Sequence, residues 1–113
     1  MAQMRSGIAL AGLLGLAGCV VPEAGLSPTI QALDVPLEVK LFIDRRVGCI
    51  HFDSEKAPDN DPGRVRMIED SIRRLRCDYL ERDERRLRAR YATTPGVIEA
   101  IERYSDASPS DIN

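Results

Sequence analysis

Apolar residues recur at steps of three and four over Val65, Ile68, Ile72, Leu75 and Tyr79. That spacing lays an apolar stripe along one side of a helix. Leu80, Leu87 and Tyr91 continue the stripe with a small rotation and a hole at Asp83. The start is marked by Asp61 as a cap and Pro62 at the first helical position, and no Pro or Gly interrupts the chain between Gly63 and Pro95. Residues 62–92 therefore read as one long helix or as two broken near Cys77-Asp78, where Asp78 and Glu81 have capping-box spacing. Thr94-Pro95 opens a last short helix, with Val97, Ile98, Ile101 and Tyr104 as its inner face.

Residues 34–52 carry two periods at once. Leu33, Val35, Leu37, Val39, Leu41 and Ile43 alternate like a strand, whereas Val39, Phe42, Ile43, Val47 and Ile50 line one helical face. Punctuation favours the helix. Asp34 can cap, Pro36 suits a first turn and would remove a donor from a strand ladder, Arg45 and Arg46 fall in the last turn, and Gly48 follows as a stop. The expected helix runs from Pro36 to Val47, and the polar, Pro58-containing segment from His51 to Asp61 reads as a loop.

The first 19 residues have a different character. Arg5 precedes an apolar run of about 11 residues that is too short to cross a bilayer and ends in Leu16-Ala17-Gly18-Cys19. A positive start, an apolar middle and small residues before a cut make a secretory signal. The tetrapeptide resembles the lipobox of bacterial lipoprotein precursors. The resemblance implies acylation of the Cys19 thiol, cleavage before Cys19 and acylation of the new amino terminus. Several acyl chains would hold the product on a membrane where one would not. Val20 is not the Asp that favours inner-membrane retention in such lipoproteins, so the resemblance points to the periplasmic face of the outer membrane. The plain alternative is a soluble secreted protein with a stray cysteine.

The expected organisation is a signal peptide over 1–18, a flexible Pro- and Gly-containing tether over 19–33, one small helical domain over 34–104, and a polar, disordered tail over 105–113. Beyond the signal the chain has 15 basic and 18 acidic residues, because Arg5 is the one charged residue of 1–18. That balance lacks the basic excess of a nucleic-acid binder. With Cys19 lipidated, Cys49 and Cys77 form an even pair, and an exported pair tends to bond; two separate buried thiols are the alternative. The fold class expected is mainly α: a small helical hairpin or a three- to four-helix bundle, braced by one Cys49–Cys77 disulfide.

Eight arginines crowd 73–90, but acids four residues ahead offset most of them: Glu69–Arg73, Asp70–Arg74, Asp78–Arg82, Glu81–Arg85 and Glu84–Arg88, each pair worth ~0.2–0.5 kcal/mol. A solvated, internally paired helix is the simple reading. The alternative is a cationic face for lipid phosphates, lipopolysaccharide or an acidic partner, centred on Arg82, Arg86 and Arg90. The other polar feature is His51-Phe52-Asp53-Ser54-Glu55, where the sole histidine with Asp53 and Glu55 could bind a metal or move a proton. The spacing is no recognised metal signature, and a histidine bonded to a loop carbonyl or carboxylate beside a disulfide is the simpler account. The chain has no Gly-x-Ser-x-Gly elbow, phosphate loop, CxxC or HExxH. Tyr79, Tyr91 and Tyr104 fall on apolar stripes and read as core with hydroxyls at the rim.

Arg45-Arg46-x-x-Cys49-x-His51-Phe52, then Cys77, then Leu87-Arg88-x-Arg90-Tyr91, resembles a group of small uncharacterised bacterial proteins with a Cys-x-His-aromatic-x-Gly-Glu segment. Here Ser54 stands in the glycine's place before Glu55. The resemblance implies shape and no activity. The function expected is a non-enzymatic binding or structural accessory of the envelope, without cofactor or metal, anchored in the membrane through acyl chains on Cys19 and acting on another envelope protein or on the membrane surface. The rival readings are a small metal-binding or enzymatic module on His51, and an inhibitor of an envelope-degrading enzyme.

Overall fold

The computed structural model of the chain describes residues 25–55 and 60–112. The signal over 1–18, Cys19 and the first part of the tether lie outside the described residues. Within them the secondary structure is helical: α1 Pro28–Gln31, α2 Leu37–Ser54, α3 Pro62–Arg74, a 3-10 turn Cys77–Tyr79, α4 Leu80–Arg90, α5 Pro95–Arg103 and α6 Pro109–Ile112. A disulfide joins Cys49 to Cys77. The mainly α class and the single disulfide brace are therefore as the pattern of residues required.

The helical reading of 34–47 holds, but its limits do not. Pro36 is the residue just before α2 and Asp34 gives it no side-chain cap. At the other end α2 runs through Gly48 to Ser54. Gly48 is no helix stop, and His51–Ser54 is helix rather than loop. The glycine's small size serves packing instead: a Cβ built there would sit 3.0 Å from Leu75 Cδ1, so the end of α3 lies directly on the middle of α2. The strand-like alternation ends at Leu41, which stays 41 % exposed while Val39, Phe42, Ile43 and Val47 are buried.

Asp61 caps α3 as its position implies, accepting from the backbone N–H of Gly63 at 3.0 Å and of Arg64 at 3.3 Å. Residues 62–92 form two helices, not one. The break falls at Leu75-Arg76, with Arg76 in the left-handed region at φ 54° and ψ 48°. Asp78 does not cap α4, which has Tyr79 as its N-cap and no side-chain cap bond. The corner is held from α2 by the disulfide one residue on and by Arg45 Nη2, 3.5 Å from the Arg76 carbonyl oxygen. One consequence is that Tyr79 leaves the apolar stripe and stands 45 % exposed.

The main core gathers Val39, Phe42, Ile43 and Val47 of α2, Leu87 of α4, Val97, Ala100 and Ile101 of α5, and Tyr104. Two segments expected to lie free also join it. Leu26 and Ile30 of the expected tether are buried, with Ile30 fully so. Ser27 caps α1 by accepting from Ile30 N–H at 3.3 Å, and Lys40 Nζ of α2 donates to the Gln31 carbonyl at 2.8 Å. Residues 105–112 are not a loose tail either, because Ala107 and Ile112 pack into the same core. Neither segment shows a period, since two or three apolar residues in a short run cannot; burial needs only the right contacts. The helical unit thus extends beyond 34–104 at both ends. α3 is different: its buried residue Ile68 stands outside this cluster. Among the described residues no helix is long and apolar enough to cross a membrane.

Candidate functional site

Helix α2 presents Arg45 and Arg46 side by side in its interior, facing Asp83 and Glu84, also adjacent, on α4. Arg45 Nη2 donates to Asp83 Oδ2 at 2.7 Å, and Arg46 pairs with Glu84. Both guanidinium groups lie over the ring of buried Phe42, with Cζ at 5.9 Å and 5.2 Å from its centre. The arginines placed by sequence at a helix end are instead cross-links between two helices. The hole that Asp83 leaves in the apolar stripe is the available signal for this, since a carboxylate facing inward requires a partner.

Asp83 draws more than one cation. Arg82 Nε and Nη2 lie 3.1 Å and 3.0 Å from its Oδ1, and Arg86 Nη2 lies 3.9 Å from the same oxygen. The Arg45 hydrogen bond, reinforced by Arg82, holds the Asp83 carboxyl below the usual carboxylate range against the opposing effect of burial. Arg82 also stacks on Tyr79, its Cζ 4.5 Å from the ring centre, and Arg76 stacks on the same ring at 5.0 Å. The pairing of Arg82 with Asp78 suggested by spacing is not made. Glu84–Arg88 is made, at 3.3 Å, and Arg88 reaches on to Glu102 of α5 at 3.3 Å.

Of the three arginines expected to form a patch, Arg82 and Arg86 share Asp83, but Arg90 belongs to a separate cluster. Its Nη1 is 3.1 Å from Glu38 Oε2, and Glu38 also accepts from the hydroxyl of half-buried Tyr91. Between the two clusters a groove of about 260 Å³ runs along α2 and α4, lined by Glu38, Leu41, Phe42, Arg45, Asp83, Arg86 and Leu87.

Helix α2 brings His51 to Glu55 but not to Asp53. His51 Nε2 is 3.3 Å from Glu55 Oε1 one helical turn on, and Arg64 Nη2 approaches the other Glu55 oxygen at 3.8 Å. Asp53, two residues along, turns to a different side of the helix. It lines a groove of about 480 Å³ with Ile50, Ile72, Leu80, Asp78 and the disulfide. Cys49 is committed to that disulfide. Among the described residues no three His, Cys, Asp or Glu side chains converge as a metal site would require.

Compared with protein-family models, with curated proteins and with solved structures, the chain matches none.

Proposed function

We propose that this chain is the precursor of a lipid-anchored helical protein of a bacterial cell envelope, held on the periplasmic face of the outer membrane, which acts by binding a neighbouring envelope protein rather than by catalysis. The observation that carries the reading is Leu16-Ala17-Gly18-Cys19 at the end of a short apolar run. Two further facts support it. Cys49 and Cys77 pair, leaving Cys19 as the odd thiol of three, and a stable disulfide suits an oxidising compartment. The most buried ionic contacts, Arg45–Asp83 and Arg46–Glu84, join helices to one another, as in a scaffold.

Mass spectrometry of the protein isolated from a bacterial host is the test. The expected product begins at an acylated Cys19 and contains two oxidised cysteines. Cys19→Ala, or globomycin, should abolish both lipid labelling and membrane fractionation. A product with an unmodified amino terminus, or unchanged fractionation of Cys19→Ala, would overturn the proposal.

A further inference from the structure

We infer that the face formed by Leu41, Arg45, Arg76, Tyr79, Arg82 and Arg86 docks on the phosphate headgroups of an anionic bilayer, orienting the domain on the membrane; the inference rests on the lipid-anchor reading above. Three guanidinium groups meet a single carboxylate here, and a fourth lies beside them. Arg45, Arg82 and Arg86 converge on Asp83. Arg76 lies with Arg82 on the Tyr79 ring. One carboxylate neutralises one of them.

Of the neighbouring acids, Glu38 and Glu84 hold other cations, while Asp78 is exposed and Asp44 half-buried. Asp78 lines the groove beside the disulfide. Glu38, on the far rim of the α2–α4 groove, holds Arg90 and Tyr91. Glu81 comes five residues before Arg86, about a turn and a half of helix, and so lies on the other flank of α4. Glu84 is taken by Arg46 and Arg88. The surplus positive charge is exposed: the Arg82 and Arg86 side chains are 46 % and 67 % accessible. A guanidinium fork matches phosphate oxygens with two parallel donors.

The apolar component sits beside the charge. Leu41 and Tyr79 are two of the three large apolar residues exposed among those described, and Leu41 shares a groove with Arg45 and Arg86. An exposed aromatic flanked by arginines suits a membrane–water boundary, where the ring is half immersed and the charges meet headgroups. The exposed cations, Arg76, Arg82 and Arg86, run from the corner along the start of α4, and an extended row of charge suits a surface. A lipid-tethered domain also meets its own bilayer at high effective concentration, so weak contacts suffice.

The full chain carrying Cys19→Ala, which has no acyl group, is mixed with phosphatidylcholine vesicles with and without phosphatidylglycerol, and the ratio of the two affinities is measured. The wild-type surface should prefer anionic vesicles, by about fivefold for each arginine engaged, and lose the preference as salt rises. Arg86→Gln, which removes only a 3.9 Å contact, should lower the ratio about fivefold, and Arg76→Gln/Arg82→Gln/Arg86→Gln should lower it about a hundredfold. Arg66→Gln/Arg73→Gln/Arg103→Gln, with the same charge loss on other exposed sites, should leave most of it. An unchanged ratio in Arg86→Gln, or an equal fall in the second triple variant, would overturn the inference. So would tighter binding to polyglutamate than to anionic vesicles, which would point to an acidic protein. Inorganic phosphate raising the melting temperature at matched ionic strength would point to a free ligand and overturn it too. Acylation of Cys19 is read separately by mass, so failure of the anchor and failure of this face are distinguishable.

Discussion

Breaking the Cys49–Cys77 disulfide tests the architecture most directly. The cysteines are 28 positions apart, so the bond closes a loop of 29 residues containing the end of α2 and all of α3. In the chain-entropy model such a loop is worth about 3.6 kcal/mol. A helical unit of this size holds only ~5–15 kcal/mol in total, so the loss is a large fraction of the whole. The fold also says where it will be felt. The main core is built from α1, α2, α4, α5 and α6, whereas α3 rests on α2 near Gly48 and the disulfide. Cys49→Ala/Cys77→Ala should therefore lower the melting temperature by about 15–30 °C. Amide exchange should quicken first in α3 and around Arg76, before α5. The assays are thermal melts by circular dichroism and hydrogen exchange read by mass, with reduction of the wild type as a second route to the same state. A shift of only a few degrees, or exchange that quickens uniformly over α3 and α5, would refute the reasoning.

Asp83→Asn should cost about 1–2 kcal/mol in urea melts, because Arg45 then keeps its burial without its carboxylate. The depressed carboxyl of Asp83 gives stability that is present above the unfolded value near 3.8 and is lost as pH falls through the lower folded value; the variant should flatten that acid limb, and an unaltered limb would remove Asp83 as its source. Gly48→Ala should lie within about 0.5 kcal/mol of wild type, as better helix propensity offsets a 3.0 Å approach to the flexible end of Leu75, whereas Gly48→Val should cost about 1–3 kcal/mol. Equal stability of the two variants would contradict the close packing of α3 on α2. Ile112→Ala should cost about 2 kcal/mol by chemical denaturation, since Ile112 is 5 % exposed in the core; no change would restore the free tail that the polar composition suggests.

The extent of the site legible in the sequence depends on the range of the forces involved. The cap at Asp61, the start at Pro62 and Pro95, and the apolar faces of α2 and α5 are set by residues within one or two turns, so local pattern reveals them. Cysteine parity points to the Cys49–Cys77 pair. Gly48 misleads because a glycine needed for close approach and a glycine that ends a helix are the same letter. His51 and Asp53 look like partners because they are near in sequence, yet two residues of a helix point to different sides. The arginine run looks self-neutralised because acids stand four residues ahead.

The chain by itself pointed to a helical fold, to the starts of α3 and α5, to Cys49 and Cys77 as the pair once Cys19 is set aside, and to a lipobox-like segment before them. Only the tertiary structure decided that α2 continues to Ser54, that the chain turns at Arg76, and that Leu26, Ile30 and Ile112 are buried. It also decided that Arg45 crosses to Asp83, 38 positions away, which no period of 3.6 can encode. The physical reason is that helix formation answers to neighbours along the chain, whereas partner choice among charges answers to distance in space. Once α2 and α4 pack, Arg45 takes up the Asp83 carboxylate from across the helix pair, and the cations left in surplus face outward together.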